Sequence, residues 1–394
     1  MNPRIAMALA TTVLIGCSGS SPTTSTVLAE PTTVQPETAA SRTNPPTIPV
    51  VVTSTTTSTT TPRAAALECV SQMTTSERVA LLLIGLGTQP VLATVDPTLV
   101  GSVVLVGQAD AGIESTLNYL SGQRTPRLLT MVDEEGGRVQ RLGSVIGELP
   151  SASSLGDTGT PAQTRAIMAE HGRKLAEHGF NVNLAPVVDV GGGPGIESRS
   201  YSDDPAVVIE HAQAAVEGLL EAGIVPVIKH FPGHGSASAD SHQRLPLAPS
   251  LDELRRSDLL PFQALLATHG TDIAVMVGHL DVPGLTTEGR PTSLSPATID
   301  GLLRTELGFD GVVMTDSLQM GAVSARWSEP EAAELAILAG ADMAMVAVDV
   351  VGDAHARLSA AVASDALPEA ELDRRAARVL QLMGHEPCGS APHP

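Results

Sequence analysis

From Leu81 onward, short apolar runs recur along the chain, separated by longer segments that carry an apolar stripe at helical spacing. The runs are Leu81–Leu86, Ser102–Val106, Leu128–Asp133, Val182–Val190, Val225–His230, Ile273–Leu280, Gly311–Thr315 and Met343–Val348. Several lack polar alternation, as expected of parallel strands buried on both faces. Between them, Ala162–His178, Ala206–Ala222, Leu251–Thr268 and Pro330–Ala339 set apolar residues on one face and charged ones on the other. Ser250 stands before Leu251-Asp252-Glu253 as a helix cap. Eight such strands alternating with helices predict an α/β fold, a TIM-like (β/α)8 barrel forming one catalytic domain. The competing arrangement is a doubly wound open sheet. No GxGxxG follows the first run, and Gly191-Gly192-Gly193 is too irregular to replace it.

The pattern changes upstream. Arg4 precedes an apolar run, Ile5–Ile15, that closes as Leu14-Ile15-Gly16-Cys17. This reads as a signal peptide over residues 1–16, too short to span a bilayer of about 30 Å. The last four residues resemble a bacterial lipobox, which makes Cys17 the acylated first residue of the exported chain. Two or more acyl chains would anchor it stably where one would not. Residues 17–62 form the linker. From Ser18 to Pro62, 29 of 45 residues are Thr, Ser or Pro, so the segment has little to bury and stays extended as a stalk. It is a candidate for O-glycosylation. Residues 63–394 form the barrel domain. The expected location is the outer face of the cell membrane, with the membrane touched through the lipid anchor alone.

Composition narrows the function. The formal charge of −20 offers no cationic face for phosphates, which excludes a basic nucleic-acid binder. Hydrophobic residues at 42% exclude global disorder, and aromatics at 2% argue against a polymer-binding module built on stacked rings. The three cysteines, Cys17, Cys69 and Cys388, form no CxxC. Cys69 and Cys388 lie near the two ends of the domain. Export permits a disulfide between them, which would stabilise by several kcal/mol through the long loop it closes; two separate thiols are the alternative.

A barrel places its chemistry at the C-terminal ends of its strands, and polar groups gather there. The third run ends in Asp133-Glu134-Glu135, with Arg138 and Arg141 downstream. The fourth ends in Asp189, followed by Glu197-Ser198-Arg199-Ser200-Tyr201. The fifth ends in Lys229-His230-Phe231-Pro232-Gly233-His234 and continues through small residues to Asp240-Ser241-His242. The sixth reaches His279 and Asp281, the seventh Asp316-Ser317. Asp316 directly follows an apolar run, so its carboxylate faces the barrel mouth. Lys229, Arg141 and Arg199 are cations that would keep it ionised, as a nucleophile toward an oxocarbenium centre requires. Asp240 and His242 share a loop of Gly, Ser and Ala that can swing. A carboxylate two residues away orients an imidazole for proton transfer.

The segment KHFPGHGSASADSH (Lys229–His242) resembles the signature of family 3 glycoside hydrolases of the β-N-acetylglucosaminidase subgroup, KH-F/I-PGHG, four residues, then D-S/T-H. VDEEGGRVQRL, ESRSYSDDP and GVVMTDSLQMGA agree in the same order. The similarity runs from about Leu67 to Met383. It implies a TIM-like barrel and a retaining, exo-acting hydrolysis of terminal β-linked N-acetylglucosamine, from GlcNAc–MurNAc fragments of peptidoglycan. It implies Asp316 as nucleophile, His242 as acid/base and Asp240 as its partner. It implies Asp133, Arg141, Arg199, Lys229 and His230 as sugar ligands. No metal or cofactor is expected, the substrate is an amino-sugar glycoside, and the chain is expected to be a monomer. Many relatives draw their acid/base Glu from a second domain, for which this chain is expected to have no room; the loop His takes its place. His234 reads as structural. Ser317 departs from the family, which often has Asp there, and the stalk lies outside the resemblance.

Four other readings compete. A neutral acid/base repels anions less than a carboxylate does, which allows phosphorolysis. His230, His234, His242 and Asp316 are a metal-hydrolase set without HExxH spacing. Lys229 is a Schiff-base candidate. A tethered sugar-binding protein without turnover is the non-enzymatic alternative.

Overall fold

The computed structural model describes residues 62–384. Eight parallel strands close on themselves in the order of the chain: β1 (Leu83–Gly87), β2 (Ser102–Leu105), β3 (Leu129–Val132), β4 (Val182–Asn183), β5 (Val225–Phe231), β6 (Ala274–Val277), β7 (Val313–Ser317) and β8 (Met343–Ala347). β1 pairs with β8, Leu83 opposite Ala344, so no edge is left. The strands are buried on both faces, as the unbroken apolar runs predict. The fold is therefore the TIM-like barrel expected, with helices packed around it.

The helices start where the side chains can cap them. Thr160 and Gln163 exchange bonds, with the Thr160 N–H on Gln163 Oε1 at 2.8 Å, and Pro161 opens the helix Pro161–Glu177 where its missing N–H costs nothing. Asp204 accepts the Ala206 N–H at 2.9 Å and opens Pro205–Glu221, which packs on the previous helix. Ser250 caps as expected, its N–H and hydroxyl both on Glu253 Oε2.

Several boundaries differ from the sequence pattern, each for a local reason. The run Val182–Val190 is a ladder only at Val182–Asn183 and resumes as a single bridge from Val187 to Lys229, because Pro186 has no N–H to give. Leu81 ends the helix Thr75–Leu81 rather than opening β1. The stretch Leu251–Thr268 is two helices, Leu251–Leu254 and Leu259–His269. Its break places Pro261 in a first turn, where proline is tolerated, and lets Asp258 turn inward to accept the Val190 N–H. β7 begins at Val313 and runs to Ser317, so Asp316 sits within the last pair of strand residues.

The ends of the barrel are chemically distinct. At the N-terminal ends of β7 and β8, fully buried Asp342 accepts the Val313 N–H at 2.8 Å and pairs with Arg304 and Arg378. Arg378 also meets Asp310, which pairs with Arg63 on the first described helix, Pro62–Ser71. Cys69 is buried on that helix; Cys388, Cys17 and the signal and stalk segments lie outside the described residues.

Removing one partner of a buried ion pair strands the others. Asp342→Ala leaves Arg304 without its carboxylate and Arg378 with only Asp310, and removes the acceptor of the Val313 N–H. A loss of about 3–5 kcal/mol is expected in urea unfolding, against less than about 1 kcal/mol if the cluster is merely a solvated surface network.

Candidate active site

At the opposite end, the C-terminal strand ends surround a cleft lined by Asp133, Glu135, Arg138, Val139, Arg141, Gly195, Arg199, Lys229, His230, Asp240, His242 and Asp316. Every residue expected from the resemblance to act in catalysis or to bind the sugar is on this wall. Its volume is about 170 Å³. That is small beside the roughly 300–1,000 Å³ of sites enclosing a drug-sized ligand, and suits one sugar ring better than a polymer segment.

The wall is built on an ion network. Lys229, at the end of β5, is 2% exposed and its Nζ lies 2.7 Å from Asp133 Oδ1 and 2.6 Å from Glu135 Oε1. Arg199 grips the same Glu135 through Nε at 2.7 Å and Nη2 at 2.8 Å. Burial pushes the Glu135 carboxyl up, but Arg199 and Lys229 outweigh it and hold it far below the ordinary value. Burial pushes Lys229 down, and Asp133 and Glu135 return it above its usual range. All these groups stay charged. Arg141 reaches Asp133 Oδ2 at 3.4 Å.

His230 is fixed from both sides. Its Nδ1 lies 2.7 Å from Asp189 Oδ2, and its Nε2 lies 3.2 Å from Arg199 Nη2. A guanidinium can only donate, so Nε2 accepts and the proton sits on Nδ1. Lys229 and His230 are adjacent in β5, yet both line the cleft; a regular strand would point them to opposite faces. The β5–β6 ladder shifts register between Ile228 and Phe231, which permits this.

Asp316 comes from β7, whose pairing with β8 also shifts register, between Met314 and Ser317. Its Oδ1 accepts the Ser317 N–H at 2.7 Å. Burial raises this carboxyl, but His230, His279, the Ser317 N–H and Lys229 outweigh burial and keep it below its usual value. His279 donates from Nε2 to the Ser317 carbonyl at 2.9 Å, and its Nδ1 meets Ser293 Oγ at 2.7 Å. It thus braces the strand end that carries Asp316.

On the same cleft, Asp240 and His242 sit on the loop after β5. Asp240 Oδ1 accepts both the backbone N–H of His242, at 2.9 Å, and its ring Nδ1–H, at 2.8 Å. The ring's Nε2 is then the nitrogen left for a reacting group. The His242 side chain is 66% exposed, as a group that meets an incoming ligand must be. The loop's path depends on Gly235, where a Cβ would stand 2.0 Å from the Val190 carbonyl oxygen.

Glu135, Asp189 and His279 were visible in the sequence as strand-end polar groups but had no role assigned. Glu135 follows Asp133 by two positions, the only local hint that it turns the same way. His234 is buried, in keeping with a structural reading, and contacts the dyad loop at Ser241.

A model of the glycosyl hydrolase family 3 N terminal domain matches residues 88–382. Beta-hexosaminidase LpqI of Mycobacterium tuberculosis is 41% identical over 304 residues, which is 74% of this chain and 77% of that protein. Among solved structures, a family 3 glycosyl hydrolase from Mycobacterium smegmatis superposes with a TM-score of 0.76 at 38% identity, covering 80% of this chain and 99% of that one. A family 3 β-N-acetylglucosaminidase from Paenibacillus sp. gives 0.73 at 32% identity, covering 79% and 62%.

Glu135 has a depressed pKa in the folded state. The stability it contributes is therefore complete above the unfolded carboxylate value of about 4.3 and is lost as the pH falls below it. Glu135→Gln removes this contribution. Between about pH 5 and pH 2 its urea midpoint is expected to vary less steeply with pH than the wild type's. Parallel curves for the two proteins would show that the pairing with Lys229 and Arg199 does not operate in solution.

Proposed function

The chain belongs to glycosyl hydrolase family 3 as a β-N-acetylhexosaminidase, and on that premise we propose that it removes single β-linked N-acetylglucosamine residues from the non-reducing ends of peptidoglycan-derived GlcNAc–MurNAc fragments, with retention. The observation that carries the mechanism is the placement of Asp316 and the Asp240–His242 pair on one ring-sized cleft.

Asp316, held ionised, attacks the anomeric carbon. His242, as the imidazolium that Asp240 stabilises through Nδ1–H, gives its Nε2 proton to the departing oxygen and is left neutral. A glycosyl ester on Asp316 results. Neutral His242 then accepts a proton from water, water attacks the anomeric carbon, and the sugar leaves with its original configuration. Lys229, Arg141 and Arg199 donate to sugar hydroxyl oxygens, and Asp133 accepts from a hydroxyl pair. Since Asp316 supplies the nucleophile, the acetamido group is accommodated as a recognition element.

The same reading makes the chain an exported, monomeric lipoprotein, acylated at Cys17 and held off the outer face of the membrane by the stalk. That location supports wall fragments outside the membrane as the substrate.

Asp316→Ala is expected to lower turnover of a chromogenic β-N-acetylglucosaminide by at least about 10⁴-fold. A 2- or 5-fluoro sugar should label wild-type Asp316 and leave the variant unlabelled at that position; a label on another residue overturns the assignment. Sugar 1-phosphate formed in phosphate buffer would identify phosphorolysis in place of hydrolysis.

Cys17→Ser is expected to move activity from the membrane fraction to the soluble exported fraction. Activity that stays with the membrane would refute acylation as the anchor.

A further inference from the structure

The loop that carries the dyad treats three consecutive residues in opposite ways. The His242 side chain is open and that of Asp240 partly so, whereas Ser241, between them, is 4% exposed. Ser241 Oγ points inward to His234 Nε2 at 3.1 Å. His234 itself is 3% exposed, and its other ring nitrogen, Nδ1, is buried without a partner. An unpaired buried N–H costs more than an unpaired lone pair. The ring is therefore held neutral with its proton on Nε2, donated to Ser241. Burial lowers the His234 pKa and favours the same state.

The backbone of Ser241 and His242 is held from a second direction. The Ala322 N–H donates to the Ser241 carbonyl at 3.1 Å, and the Gly321 N–H donates to the His242 carbonyl at 3.1 Å. Both donors belong to the segment that follows β7, five and six residues beyond Asp316. The loop bearing the imidazole is thus bonded directly to the loop bearing the attacking carboxylate. The approach requires glycine: a Cβ on residue 321 would lie 2.5 Å from the Gln243 carbonyl oxygen and 2.9 Å from that of His242. Elsewhere the loop is held by buried Ala237 and Ala239 and by backbone bonds, none of which reaches the Ser241 side chain. Ser236 and Ser238 are exposed, and the base of the loop is pinned separately, between Ser238 and Leu247.

Resting on the assignment of Asp316 and His242 as the reacting pair, we propose that Ser241, His234 and Gly321 form a clasp that fixes His242 opposite Asp316, and that these three are positioning residues of the proton-transfer step. His234 grips the loop from the β5 side, and Gly321 with Ala322 grips it from the β7 side. Misplacing a reacting group by about 1 Å can cost about 10²-fold in rate, so a clasp of this kind matters where departure needs the His242 proton and little where the leaving group departs unaided.

The test uses leaving groups that differ in their need for a proton. A 2,4-dinitrophenyl β-N-acetylglucosaminide departs almost unaided; the methyl glycoside needs protonation. Ser241→Ala and Gly321→Ala are expected to lower kcat/KM for the methyl glycoside by roughly 10- to 100-fold and for the dinitrophenyl glycoside by less than about threefold. Ser241→Thr keeps the hydroxyl and is expected to restore the methyl-glycoside rate to within about threefold of wild type. The double variant Ser241→Ala/His242→Ala is expected to be no slower than His242→Ala alone. Equal losses on both substrates, wild-type rates on both, or an additive double variant would each overturn the clasp. His242→Ala is the control for the underlying assignment. If it shows the leaving-group split and the clasp variants do not, only the clasp fails; if it shows none, the assignment fails and the clasp with it. Should Gly321→Ala not fold, the Ser241 pair and the double variant decide the question.

Discussion

A carboxylate cannot be buried in a barrel mouth by itself, and the site is organised around the answer to that problem at Glu135. Its side chain is 3% exposed and is met by Lys229, at 2% exposure, and by both faces of the Arg199 fork. Burial alone would favour neutral Glu135 and neutral Lys229, and each is kept charged by the other and by its further partners, of which Arg199 is a permanent cation. The two cations then have capacity left for one more neighbour each. Lys229 reaches Asp133, Arg199 reaches His230, and His230 reaches Asp189. The result is a continuous line of alternating donors and acceptors from Asp133, after β3, to Asp189, after β4, with the end of β5 between them. It fixes the cations at the cleft wall, and with them the field that holds Asp316 ionised.

The two reacting groups occupy contrasting surroundings. Asp316 is set into a strand end, braced by His279 and the Ser317 N–H, where its charge is maintained by its neighbours. His242 stands out from the wall on a small-residue loop, with Asp240 as its partner. A nucleophile gains from a fixed, preorganised position, whereas a proton carrier must meet first a leaving group and then water. One fold supplies both conditions by placing one group on a strand and the other on a crossover loop.

The barrel was legible because parallel strands buried on both faces appear as unbroken apolar runs, and eight of them recur with helices between. Less legible were the points where a single residue overrides the pattern. Pro186 interrupts the fourth ladder, Asp258 and Pro261 divide what looks like one helix, and β7 lies two residues further along than its apolar run, so that its end takes in Asp316. The site followed the same division. Residues that face a ligand, such as Asp133, Lys229, Asp316 and His242, could be named from strand ends and from the signature segment. Glu135 and Asp189 could be seen there too, but what they do depends on side chains from other strands, which no local pattern reports. The pairing of His234 with Ser241, seven residues on, is legible only once the loop's path is known.

The ion cluster around Asp310 has a geometric corollary. Arg63, in the first described helix, is fastened beneath β7, at the end of the barrel that does not hold the cleft. That helix is thereby clamped to the closed base of the barrel, and its hold on the domain draws on a different set of charges from those that line the mouth.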